Sequence, residues 1–248
     1  MPSFQNLIIP TICLTAIFYS KAVIAQHSII DQIQKSQASI VTVQAENVGM
    51  YKSPRAAAGF DRQSGRVILV RNVKAAAYNR SGAGVIIDPS GIIITNGHII
   101  DKANKIKITF FDNRAWPAEV LLVVHNLDLG FLKVNMDAPL PAVVIADSDK
   151  LQLGDEIITV GNSEFLKQTV SGGKIKGLGK RQGQNPNQTD LIQTTINLYK
   201  GDSGGPLFDY EGRLIGLMTA AEGAHDHSSF AVPANKISKY LEEIKTKK

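Results

Sequence analysis

One cysteine, Cys13, is all the thiol chemistry in 248 residues, which excludes a disulfide-stapled scaffold and any Cys-rich zinc module. The surplus of one charge sign is small too. The 27 Lys and Arg against 22 Asp and Glu leave +5, too small a surplus to imply nucleic-acid binding without a local basic patch. The amino-terminal apolar run, 7–19, is too short to span a bilayer comfortably. With 44% hydrophobic and 20% charged residues the chain is ordinary globular material, not a disordered tail or a multi-span membrane protein.

That short run, followed by Val23-Ile24-Ala25, reads as a secretory signal over residues 1–25, with an uncleaved anchor as the alternative because no Lys or Arg precedes the run. Thr11 and Ile12 before Cys13 make a poor lipid-attachment box. Removing the signal leaves 223 residues of charge +4, enough for one domain of two packed halves. An amino-terminal segment, 26–37, comes first, with Ser28 and Asp31 at capping distance among Ile29, Ile30 and Ile33.

From there the hydrophobic period is that of strands. Short Val/Ile/Leu-rich runs at 39–44, 82–88, 91–95, 105–110, 120–125 and 127–134 are bounded by Gly, Asn, Asp or Pro. Asp88-Pro89-Ser90-Gly91 is a tight turn joining two of them. Residues 135–150, punctuated by Asp and Pro, read as a linker. A second set follows at 155–161, 169–177, 191–195, 206–208, 213–220 and 229–232. Two sets of about six strands around one linker predict an all-β fold of two six-stranded antiparallel barrels. Pro233 then opens a carboxy-terminal helix whose Ile237, Tyr240, Leu241 and Ile244 form an apolar stripe.

One stretch breaks the rhythm. Residues 46–80 hold seven basic residues (Lys52, Arg55, Arg62, Arg66, Arg71, Lys74, Arg80) against Glu46 and Asp61, a net of +5. They read as a long basic loop insertion with a hairpin around 67–70, either merely solvated or an anion-docking, regulatory loop.

The chemistry concentrates in Gly201-Asp202-Ser203-Gly204-Gly205-Pro206, a serine in a glycine-flanked turn before a strand. Glycines there let the Gly201 and Ser203 N–H groups point at one spot beside the hydroxyl, as an oxyanion hole requires. The serine needs a base held in one tautomer by a carboxylate. Of five histidines, His98 is the strongest base, because the buried run Ile92-Ile93-Ile94 leads into its turn; His125 ends a strand, and His27, His225 and His227 sit in less constrained places. Asp128, opening the apolar run Leu129 to Val134, is the best orienting acid, ahead of Asp101 and Asp112.

The segments "SGAGVIIDPSGIIITNGHII" (81–100), "LDLGFLKV" (127–134) and "LIQTTINLYKGDSGGP" (191–206) resemble the signature segments of the HtrA/Deg trypsin-like serine proteases. Gly161-Asn162 with 169–178, and Phe230-Ala231-Val232-Pro233, match two weaker ones. The resemblance covers roughly Ala38 to Leu241 and implies a chymotrypsin-type domain over 38–248, with His98, Asp128 and Ser203 as the triad. It also implies a secreted or periplasmic endopeptidase acting on unfolded or exposed protein segments, with no cofactor. The same likeness points to a homotrimer built through the amino-terminal segment, with docking on the core as the alternative role of Ile29, Ile30 and Ile33.

Some positions depart from the family pattern. No PDZ module follows the protease-like region, Thr195 stands where the family usually has Asp, Tyr199-Lys200 replace Asn-Pro, and Asp202 replaces Asn. Trypsins pair an Asp at the Asp202 position with a freed amino terminus, but no Ile-Val-Gly-Gly start precedes His98, so an internal donor is expected ahead of the alternative, a cleavage-activated zymogen. By turn spacing, Asn197 lies near the specificity-pocket floor, with Leu198, Met218, Thr219, Ala220 and Ala221 as further substrate-binding residues. The rival function is a secreted binding protein on a protease fold with catalysis dispensable. His225-Asp226-His227 lack an evident third metal ligand.

Overall fold

The computed structural model describes residues 36–52, 57–61, 66–70, 73–161, 169–179, 190–199, 201–221 and 228–247, with side chains for all of these except 47–78, 220 and 221. The expected signal, 1–25, and Ile29, Ile30 and Ile33 lie outside the described residues.

Two closed six-stranded antiparallel barrels follow each other along the chain. The first is built from β1 (Ile40–Lys52), β4 (Val73–Asp88), β5 (Ile92–Asn96), β6 (Lys105–Thr109), β7 (Ala115–Val124) and β8 (Leu129–Lys133), in the order β1-β4-β5-β8-β7-β6. The second holds β9 (Glu156–Gly161), β10 (Thr169–Gly179), β11 (Leu191–Thr194), β12 (Pro206–Asp209), β13 (Leu214–Ala221) and β14 (Ser229–Pro233), ordered β10-β11-β14-β13-β12-β9. The helix α1 (Gly97–Ile100), one turn after β5, and the carboxy-terminal helix α2 (Ala234–Thr246) accompany them. The expected all-β architecture and its terminal helix are both present.

Side-chain alternation explains how these segments roll up. In β6, Ile106 and Ile108 are buried while Lys105 and Lys107 face water, the two-residue period of a strand with one wet face. β5 is buried along its whole length.

Each barrel has its own core, Val43, Ile93 and Leu132 in the first and Ile157, Ile192 and Leu207 in the second. A third cluster runs between them, joining Val85, Ile94 and Phe131 to Val160, Phe208, Leu217 and Val232 and on to Ile237 and Leu241 of α2. Each fully buried Leu, Ile or Phe there contributes about 1.5–3 kcal/mol relative to exposure, so the barrels are bonded along this seam by ordinary core packing. Lys245 of α2 reaches back to Asp88 of the first barrel at 2.7 Å. Burial alone would raise the Asp88 carboxyl, but hydrogen bonds from Lys245 and Ser90 outweigh it and lower its pKa to about 2.

The basic stretch 46–80 differs from the loop that its sequence implies. β1 and β4 continue past the barrel as a two-stranded ribbon, paired as far as Lys52 and Val73. A second hairpin joins β2 (Ala57–Asp61) to β3 (Arg66–Val70), on the segment where a hairpin is expected. Ala75–Ala77 have weak β-propensity on their own, and only pairing with Val48–Met50 makes them strand, a long-range effect that composition does not reveal.

Candidate active site

β5 delivers the chain to α1, whose Ile99 and Ile100 are buried while His98 faces solvent. Opposite it, a 3-10 turn over His125–Leu127 ends at Asp128, held in the left-handed region at φ 53°, which Asp tolerates better than most residues. Two donors from the β5–α1 junction fix the Asp128 backbone: Asn96 Nδ2 at 3.1 Å and Gly97 N–H at 2.9 Å both donate to its carbonyl.

Three donors converge on the Asp128 carboxylate. The His98 backbone N–H donates to Oδ1 at 2.8 Å, His98 Nδ1 lies 2.7 Å from Oδ2, and Thr219 Oγ1 donates to Oδ2 at 2.7 Å. Burial pushes this carboxyl upward, but the hydrogen bonds from His98 and Thr219 outweigh it and hold it below its ordinary value. An ionised carboxylate only accepts, so Nδ1 is the donor and Nε2 of the neutral ring keeps its lone pair. The pair can therefore act as a general base with a fixed tautomer.

The serine turn is fastened to both barrels. Ala83 N–H of the first barrel donates to the Ser203 carbonyl at 2.9 Å, and Gly204 N–H donates to Met218 of the second at 2.9 Å. Met218 precedes Thr219, the residue bonded to Asp128, so the serine turn and the His98–Asp128 pair hang from one strand. Gly204 has φ 82°, and a Cβ there would run into the Ala83 carbonyl and the Thr95 hydroxyl, so the close approach requires glycine. Asp202 and Gly205 N–H groups are taken by Tyr199 and Asp202 carbonyls at 3.0 Å each. Among the described residues the Gly201 and Ser203 N–H groups have no protein acceptor, as an anion-binding pair requires.

Asp202 is buried beneath this turn at 6% exposure. Its Oδ2 accepts the Tyr199 N–H at 2.9 Å, the internal donor that the sequence leads one to expect. Its Oδ1 has no partner among the described residues and packs so close to Gly161 that a Cβ there would collide with it. Burial raises the Asp202 carboxyl above its ordinary value, and the Tyr199 bond only partly offsets this. A raised folded pKa means that the unfolded chain, with its pKa of about 4, releases the proton first, so the Asp202 contribution falls as pH rises above that value. Asp202→Asn is expected to keep most activity and to raise the melting temperature more at pH 7 than at pH 4. Loss of both activity and stability at pH 7 would instead show that a cation must pair with Oδ1, as in zymogen activation.

The residues expected to bind substrate divide into three groups. Asn197 is exposed and Leu198 half-buried against the second-barrel core. Met218 is fully buried within that core, so its side chain packs against the barrel interior. The Thr219 hydroxyl is committed to Asp128; the Ala220 and Ala221 side chains lie outside those described. The other candidates are elsewhere: His125 is exposed, Asp101 is half-buried, and Asp112 is ion-paired to Arg114 at 2.7 Å. His27, Lys200, His225, Asp226 and His227 lie outside the described residues. Two contacts had no local signal in the sequence, the Thr219 bond to Asp128 and a bond from Arg80 to His98, because both join segments that only tertiary packing brings together.

The pattern of a trypsin-like peptidase domain matches residues 82–217. The chain is 36% identical over 165 residues to the periplasmic pH-dependent serine endoprotease DegQ of Escherichia coli, covering 65% of this chain and 36% of that protein. It is 35% identical over 168 residues to a probable periplasmic serine protease do/HhoA-like of Haemophilus influenzae, covering 66% of this chain and 36% of that one. It thus spans about a third of the length of these relatives. The structure of a serine-to-alanine variant of the HtrA-type protease AlgW, with a decapeptide, superposes with a TM-score of 0.75 at 25% identity, covering 87% of this chain and 66% of that one.

Proposed function

Because the chain belongs to the trypsin-like peptidase family, we propose that it is a serine endopeptidase working through His98, Asp128 and Ser203. The observation that carries this reading is the 2.7 Å contact of His98 Nδ1 with an Asp128 carboxylate braced by two further donors. In the proposed reaction Ser203 Oγ attacks the scissile carbonyl carbon while His98 Nε2 takes its proton. The oxyanion is received by the Gly201 and Ser203 N–H groups, each such donor supplying about 10²–10³ in rate. Asp128 stabilises the imidazolium. Collapse breaks the C–N bond, His98 returns the proton to the leaving amine, and water then hydrolyses the acyl-enzyme by the same route in reverse.

The substrates are unfolded or exposed protein segments, met in the periplasm or outside the cell. Support comes from relatives named as periplasmic serine proteases and from the apolar run at 7–19, which reads as part of a secretory signal. The residue before the scissile bond is uncharged and small to medium, such as Val, Ala, Leu or Thr. Asn197 offers a neutral amide where trypsins hold a cation with a carboxylate, and an uncompensated buried charge costs several kcal/mol. Mapping the cuts made in unfolded casein tests this. Cleavage after those four residues is expected; consistent cleavage after Lys, Arg or Glu would mean that other residues form the pocket, and a folded protein that makes no cuts would contradict the endopeptidase reading.

A further inference from the structure

The one-turn helix carrying His98 ends abruptly. The chain leaves it at Asp101, whose ψ of 128° is extended, so the helix stops where another turn would have supplied N–H donors to its last carbonyls. The Gly97 and Ile100 carbonyls take the Asp101 and Ala103 N–H groups at 2.8 and 3.0 Å, and a guanidinium meets the His98 carbonyl between them: Arg80 Nη1 donates to it at 2.6 Å and to the Asp101 carbonyl just past the helix at 3.3 Å. The first is short, as charge-assisted bonds are. A cation at a helix carboxy terminus also meets the negative end of the backbone dipole.

Arg80 lies at a distinctive place in the fold. It pairs with Ala45 on β1, one rung before Glu46↔Lys105, the last rung at which β6 still holds β1. Beyond that rung β1 and β4 run on as the ribbon. Arg80 is exposed and lines a groove of about 690 Å³ with Glu46, Asn104, Lys105 and Trp116, so its guanidinium is not a buried core group.

Resting on the serine-protease reading, we infer that Arg80 is a positioning residue, which holds the His98 backbone from the base of the ribbon so that the ring meets Asp128 in one orientation. His98 is then fixed from two sides. Asp128 holds its N–H and Nδ1, and Arg80 holds its carbonyl. A small displacement of a positioned group costs far more in rate than in stability, about 10²-fold for 1 Å.

The test compares the full-length enzyme with Arg80→Ala, Arg80→Gln and Arg80→Lys. Arg80→Ala is expected to lower kcat by about 10- to 100-fold with KM little changed. Arg80→Lys retains more activity than Arg80→Gln, and methylguanidinium, entering by the groove, restores part of the Arg80→Ala loss without affecting the parent. The proton NMR resonance of His98 Nδ1–H shifts or broadens in Arg80→Ala while the melting temperature holds. An unchanged resonance with kcat within twofold of the parent would overturn the inference. So would a kcat loss that tracks a fall in melting temperature and answers to neither lysine nor methylguanidinium. A parent that neither hydrolyses peptides nor reacts with a fluorophosphonate would remove the protease reading, and the resonance would still decide the role of Arg80.

Discussion

Ser203→Ala is expected to lower peptide hydrolysis by about 10⁴- to 10⁶-fold, measured as kcat on a purified, folded protein. The loss is large because the nucleophile has no substitute within the turn. Stability should hardly change. Backbone hydrogen bonds fasten the turn, from Ala83 to the Ser203 carbonyl and from Gly204 to Met218, and alanine keeps both. A melting temperature within about 2 °C of the parent is the matching expectation for losing one half-buried hydroxyl. Substantial residual turnover at unchanged stability would mean that another residue attacks the substrate.

The second large effect falls on Asp128. Three donors converge on its carboxylate, and an amide offers one acceptor oxygen where the carboxylate offers two. In Asp128→Asn the oxygen that serves the His98 backbone N–H is unavailable to the ring, and the amide NH₂ then faces Nδ1. That arrangement favours the tautomer with its proton on Nε2, which cannot accept the serine proton. The expected fall in kcat is about 10⁴-fold near neutral pH, with KM changed much less. Asp112→Asn serves as the control, since Asp112 is engaged by Arg114 at the surface, and it should stay within about twofold. Equal losses in the two variants would remove the assigned role of Asp128.

Much of this architecture is legible in the sequence, and the exceptions have a common cause. Strands such as β5 and β8 stand out because buried Ile, Leu and Phe runs are cut off sharply by Gly, Asn or Asp, and those are local properties. His98 and Asp128 are legible for a related reason, each standing at the edge of such a run. The ribbon of β1 and β4 is hidden because Ala, Lys and Asn become strand only through their partner. α1 is too short to show a helical period, and so reads as a plain turn. Thr219 and Arg80 are polar residues whose partners, Asp128 and His98, are 91 and 18 positions away, so no local pattern announces their bonds. Met218 could be placed on the right strand, but which way its side chain points depends on how the second barrel closes.

The central claim is that His98, oriented by Asp128, activates Ser203, and active-site labelling tests it most directly. The folded protein should take up one equivalent of a fluorophosphonate, with mass mapping placing the adduct on Ser203. The rate should collapse in His98→Ala and Asp128→Asn but not in His125→Ala. A folded protein whose Ser203 stays unmodified, or labels equally fast without His98, would contradict the account.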